Sequence, residues 1–153
     1  DATILISRKH LEMWNLSSEE LDRQAWDNTL ADLTPSLRPM SDILKEYADV
    51  QVGEETDSCL LPMYVLTNTK KTFGSICIRY PGVLEQAAEK LGGDFYILPS
   101  SVHECILVPA GRTVSSEILK EMVTDINHTQ VEPQEVLANQ VYLYSRLLNK
   151  IVF

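Results

Sequence analysis

Four short apolar runs, grouped in two pairs around a single helical stretch, constrain this chain more than any other feature. "PMYVLTN" and "FGSICIRY" flank the polar "TKKT", and "DFYILP" and "ECILVPA" flank "SSVH". Runs rich in β-branched and aromatic residues, separated by turn-forming ones, predict two β-hairpins. In "FGSICIRY" the alternation sets Ile76, Ile78 and Tyr80 against Ser75, Cys77 and Arg79, which predicts one face buried by helices. "YVL" is also compatible with cover on both faces. Between the pairs, Pro81 suits a first helical turn, Val83, Leu84, Ala87, Ala88 and Leu91 form one stripe, and Gly92 supplies a left-handed stop. Two hairpins joined by one helix favour a mostly antiparallel sheet with helices gathered on one face, the α+β class, over a doubly wound parallel sheet.

The flanking segments add elements to that frame. Residues 2–6 read as a first strand, and "HLEMWNL" as a short connection or helical turn. Ser17 and Glu20 have capping-box spacing, Leu16 and Leu21 hold the staple positions, and helical spacing runs on to Leu33 before Pro35, which predicts a helix over 18–33. A short helix is expected near "MSDILKEYA", followed by a mobile acidic loop at "GEETDS". Thr113 or Ser115 caps a third helix, in which Ile118, Leu119, Met122, Val123 and Ile126 share a face. "VYLYS" alternates like a strand with "KIVF" as its partner, although residues 141–153 also fit one terminal helix. The length suits a single domain over 1–153. A start at Asp1, running straight into a strand, suggests the C-terminal part of a longer protein.

Charge and cysteine usage exclude several functions. Of the net charge of −9, nearly all falls in residues 1–57, which hold 13 acidic and 5 basic residues. Without a basic stripe, such a surface argues against nucleic-acid binding. No apolar stretch approaches the roughly 20 residues that span a bilayer, so no membrane association is expected. Cys59, Cys77 and Cys105 are sparse, odd in number and without CxxC spacing, which suits a reducing cytoplasm.

The segment "LPSSVHECILVP" gathers the residues with most chemical potential. Ser100 or Ser101 as nucleophile with His103 as base would make a small serine-hydrolase-like enzyme. No GxSxG elbow is present, and Glu104 should face away from His103 on an extended chain. A metal site from Cys77, His103 and Cys105 is conceivable, but buried free cysteines are common core residues; no metal and no cofactor are expected. Serine is also favoured in turns for its backbone hydrogen bonds, so the segment reads first as a turn. Tyr64, Tyr80, Tyr96, Tyr142 and Tyr144 read as core-edge rings more than as a binding patch.

The run from "MYVLTNTKKTF" through "ILPSSVHECILVP", with "ATILISRKHLEMWNLSSEEL" before it and "VYLYSR" after it, resembles a family of bacterial proteins, chiefly from gut Firmicutes, that carries only a domain-of-unknown-function label. "LPSSVHE" resembles a hallmark of that family. The resemblance implies a further N-terminal region and a cytoplasmic location; it brings no activity, cofactor or catalytic residue. The expectation is therefore a non-catalytic binding or regulatory domain. Its contact residues would be Ser100, Ser101, His103 and Glu104 with the Lys70–Lys71 turn, and its partner another protein or its own N-terminal region. The serine-hydrolase-like enzyme is the alternative.

Overall fold

The computed structural model describes residues 4–47, 61–99, 101–111, 115–129 and 131–152. They fall into two compact units, Asp1–Thr34 and Pro35–Phe153. "GEETDS", Cys59, Ser100 and Thr113 lie outside the described residues.

The first unit holds α1 (Arg8–Trp14) and α2 (Ser18–Asp32). Of residues 2–6, expected in a strand, Ala2 and Thr3 lie outside the described residues, and Ile4 to Ile6 form no strand and are exposed. An apolar run alone does not make a strand; it needs a ladder partner for its backbone groups. α1 ends at Asn15, whose φ of 53° is the left-handed stop that asparagine tolerates. The capping box of α2 is present as read. Ser17 Oγ accepts from the Glu20 N–H at 3.1 Å and Glu20 Oε2 accepts from the Ser17 N–H at 2.9 Å, and the backbone bond to Ser17 holds the Glu20 carboxyl below its ordinary range. Ser17→Ala is expected to cost α2 about 1 kcal/mol, read as faster amide exchange in its first turn than in its last.

The second unit is built on a six-stranded sheet in the order β1-β2-β4-β3-β5-β6, with every pairing antiparallel. Its strands are β1 (Pro35–Pro39), β2 (Tyr64–Asn68), β3 (Phe95–Leu98), β4 (Cys105–Pro109), β5 (Tyr142–Ser145) and β6 (Lys150–Val152). The helices are α3 (Met40–Tyr47), α4 (Val83–Leu91), α5 (Ser116–Thr129) and a 3₁₀ segment, Gly74–Arg79. The α+β class and the antiparallel sheet agree with the sequence reading. So do α3, α4, α5, the β3–β4 hairpin and the terminal strand pair, which makes the terminal segment two strands, Tyr142–Ser145 and Lys150–Val152, joined by a turn.

Two details differ. "FGSICIRY" is not the second strand of a hairpin, and β2 pairs instead with β1 and β4. Phe73 takes φ 50° and turns the chain into the 3₁₀ segment, where residues three apart share a face. Cys77 and Tyr80 are buried together, while Ile76 and Ile78 are only half-buried, against the alternation expected of a strand. The missed strand is β1. Its terminal prolines hide a strand signal, yet they are tolerated because β1 is a sheet edge and pairs on one side only.

The helices also divide between the two faces of the sheet rather than gathering on one. Leu98 and Val108 pack with Leu119 and Val123 of α5. The alternate residues Phe95, Ile97, Cys105 and Leu107 are fully buried on the other face, where Cys105 Sγ reaches the Ser75 carbonyl of the 3₁₀ segment at 3.9 Å. On that face Tyr144 stacks on Phe95 with centroids 4.9 Å apart, and its hydroxyl donates to Asn149, which in turn donates to Glu85 of α4.

Candidate functional site

Asn68, the last residue of β2, is fully buried and organises the turn that follows it. Its Oδ1 accepts from the Lys70 N–H at 3.0 Å and the Thr72 N–H at 3.4 Å, and its Nδ2 donates to the Thr72 carbonyl at 2.7 Å. Held this way, Lys71 and Phe73 both adopt positive φ, 54° and 50°. Neither is glycine, so the turn carries backbone strain that the Asn68 bonds offset.

This turn delivers the Phe73 N–H to His103. The amide donates to His103 Nδ1 at 3.1 Å, and the two rings lie with centroids 5.5 Å apart. The Lys70–Lys71 turn and the Ser101–His103 segment, separate in sequence, therefore meet through Phe73. A backbone N–H can only donate, so Nδ1 is the acceptor and the neutral ring carries its proton on Nε2. Nε2 lies 3.3 Å from Glu135 Oε1.

Ser101 and Val102 are joined to backbone on both sides. Val102 C=O accepts from the Ser75 N–H at 3.3 Å and the Ser75 hydroxyl at 2.8 Å, and its N–H donates to the Glu135 carbonyl at 2.9 Å. Thr67 Oγ1 donates to the His103 carbonyl at 2.8 Å. Buried Ser101 forms an isolated bridge with Val136, and its hydroxyl accepts from the His103 N–H at 3.0 Å. Ser101 thus bonds the His103 backbone, while the ring faces Phe73 and Glu135.

Cys77 and Cys105 are buried free thiols. Burial first, then Glu104 and Cys77, push the Cys105 thiol up to about 12, so it remains a neutral core side chain near neutral pH. Among the described residues no group of three or more His, Cys, Asp or Glu could hold a metal ion.

On the opposite side of the backbone from Cys105, Glu104 lines a groove of about 450 Å³. The register explains its floor: Arg38 pairs with Val65, and Val65 with Ile106, which makes one row across β1, β2 and β4. Met40 and Ile43 of α3 supply the wall. Arg38 is held bidentately by Glu46, with N···O distances of 2.5 and 3.0 Å, and Lys71 acts electrostatically on the same carboxylate. Glu104 differs. Among the described residues its half-buried carboxylate has no hydrogen bond or ion pair, and burial is the largest influence, raising its proton affinity above the ordinary value of 4.5. Glu135 adds to that rise, and a positive charge on the His103 ring would oppose it.

A carboxyl whose proton affinity is raised by folding binds more protons in the native than in the unfolded state, so its contribution falls as pH rises from the unfolded carboxylate range through the higher folded value. Glu104→Gln is therefore expected to flatten the fall of thermal stability just above pH 4.5 and to leave the protein more stable at neutral pH. Calorimetric melting temperatures from pH 4 to 7 check this; a steeper fall in the variant would contradict it.

Sequence reasoning found His103, Glu104 and the lysine turn but not Arg38, Phe73, Glu135 or the groove floor. The side chain of Asn68 at a strand end, four residues before Thr72, was the available signal for the turn.

The family model of DUF5688, a family of unknown function, matches residues 1–146. The chain belongs to DUF5688. No curated protein and no solved structure matches it. Among the described residues of this DUF5688 member, no helix is long and apolar enough to cross a membrane.

Proposed function

We propose that this DUF5688 domain is a non-catalytic binding module of a bacterial cytoplasmic protein, and that it engages a polypeptide partner through the groove beside Glu104 and the adjoining Phe73–His103 surface. The observation that carries this reading is the division of labour at residues 101–106. Ser101, Val102 and His103 direct their polar groups to backbone and to Glu135, whereas the next residue, Glu104, points an uncommitted carboxylate into an open, mainly apolar groove. Apolar concavities with few polar groups are the usual form of a binding site. Two free, buried thiols suit a reducing compartment, and the acidic surface disfavours nucleic acid.

A fragment screen on the full chain, read by amide chemical shifts, tests the reading. Hits are expected to concentrate on Arg38, Val65, Thr67 and Ile106. Hits that avoid the groove would overturn it. Labelling of Ser100 or Ser101 by a fluorophosphonate would place the protein among the serine hydrolases instead.

A further inference from the structure

The groove is lined by two cations, Arg38 and Lys71, and one carboxylate, Glu104, and they are not equivalently engaged. Arg38 and Lys71 both act on Glu46. Glu104, the carboxylate of the groove lining, has no ion pair among the described residues and shares that lining with the apolar side chains of Val65 and Ile106. A half-buried charge in such surroundings lacks full hydration, and a cation that reached it would make a charge-assisted hydrogen bond in a medium of reduced dielectric.

The floor also indicates what carries that cation. Arg38, Val65 and Ile106 form a row across three neighbouring strands, which makes a trough about 10 Å long at the usual strand spacing. That length matches about three residues of extended chain. Met40 and Ile43 add apolar wall beside that row. The net charge of −9 favours encounter with basic partners at long range.

Resting on the binding reading above, we propose that the groove recognises a lysine or arginine side chain flanked by aliphatic residues on a partner polypeptide, with Glu104 as the counter-charge. Arg38, which lines the groove from β1 and is bonded to Glu46, makes that side unfavourable to a second cation and so fixes the orientation of the bound segment.

Titration of the full chain with acetyl-Leu-Lys-Leu-amide, its norleucine isostere and n-butylamine, followed by amide shifts of Val65, Glu104 and Ile106, tests this. The lysine peptide should bind about tenfold more tightly than the norleucine peptide, and more tightly than butylamine. Glu104→Gln should abolish the preference between the peptides while retaining the norleucine affinity, which also shows that the variant is folded. Equal affinity of the two peptides for the wild type would overturn cation recognition and leave the binding reading standing. Butylamine binding as tightly as the lysine peptide would overturn the polypeptide source. Groove resonances unmoved by all three probes would overturn both the inference and the reading beneath it.

Discussion

Gly74→Ala is expected to destabilise the sheet unit by at least about 3 kcal/mol, the sum of overpacking and a lost buried hydrogen bond. A Cβ built at this position would lie 2.1 Å from Thr67 Oγ1, 2.5 Å from the His103 carbonyl oxygen and 2.7 Å from the Asn68 backbone nitrogen. Of these atoms only the threonine hydroxyl can rotate away, and doing so gives up its bond to His103. The other two are backbone, fixed by the β2 ladder and by the bonds that hold residues 101–103. The expected reading is a urea midpoint far below wild type. Adding Thr67→Ala should recover part of the loss but not all of it, because the His103 and Asn68 contacts remain. A Gly74→Ala protein within about 1 kcal/mol of wild type would mean that the close approach of the 3₁₀ segment to the sheet is absent; a clash relieved that cheaply is not the overpacking of a dense core.

Phe95→Ala is expected to cost about 3–5 kcal/mol, the range for removing a buried aromatic ring from a packed core. Phe95 is fully buried, pairs with Pro109 on one side and Tyr144 on the other, and stacks on the Tyr144 ring. Its loss also loosens Tyr144, whose hydroxyl donates to Asn149. The tyrosine hydroxyl is held above its ordinary range by burial first and by Glu85 second, so the substitution should lower it. Equilibrium unfolding gives the first effect, and spectrophotometric titration of the tyrosines gives the second. Phe95→Leu, which retains much of the volume, should lose less than half as much stability.

How far the sequence revealed this structure depends on whether a feature is local. Ser17 with Glu20, the stripe of α4 closed by Gly92, and the pair "FYIL" and "CILVP" each carry their physics within a few residues, and each forms as read. The failures come where distant groups decide. "GSICIR" alternates like a strand, but the Asn68 side chain and the left-handed Phe73 turn it into a 3₁₀ segment before it can pair. "PSLRP" carries strand-breaking prolines, yet at a sheet edge they cost nothing on the unpaired side. Ile4 to Ile6 are apolar enough for a strand and form none.

The candidate site divides along the same line. A turn at "SSVH" was legible from serine's preference for such positions, and residues 101–103 bond to backbone accordingly. The groove was not legible, because Arg38, Val65 and Ile106 become neighbours only through the order of the sheet. Nor does spacing reveal that the lysine turn and His103 meet, since Phe73 joins them through a backbone amide rather than a side-chain motif.

The central claim is that the His103 imidazole is a structural acceptor for the neighbouring turn, which leaves Glu104 to face the groove. Long-range ¹⁵N–¹H correlation of the histidine rings near neutral pH measures it most directly. The account predicts an unprotonated Nδ1 for His103, a proton on Nε2, and a through-hydrogen-bond coupling between Nδ1 and the Phe73 amide. A protonated Nδ1, or a ring coupled to a serine hydroxyl in place of Phe73, would contradict it.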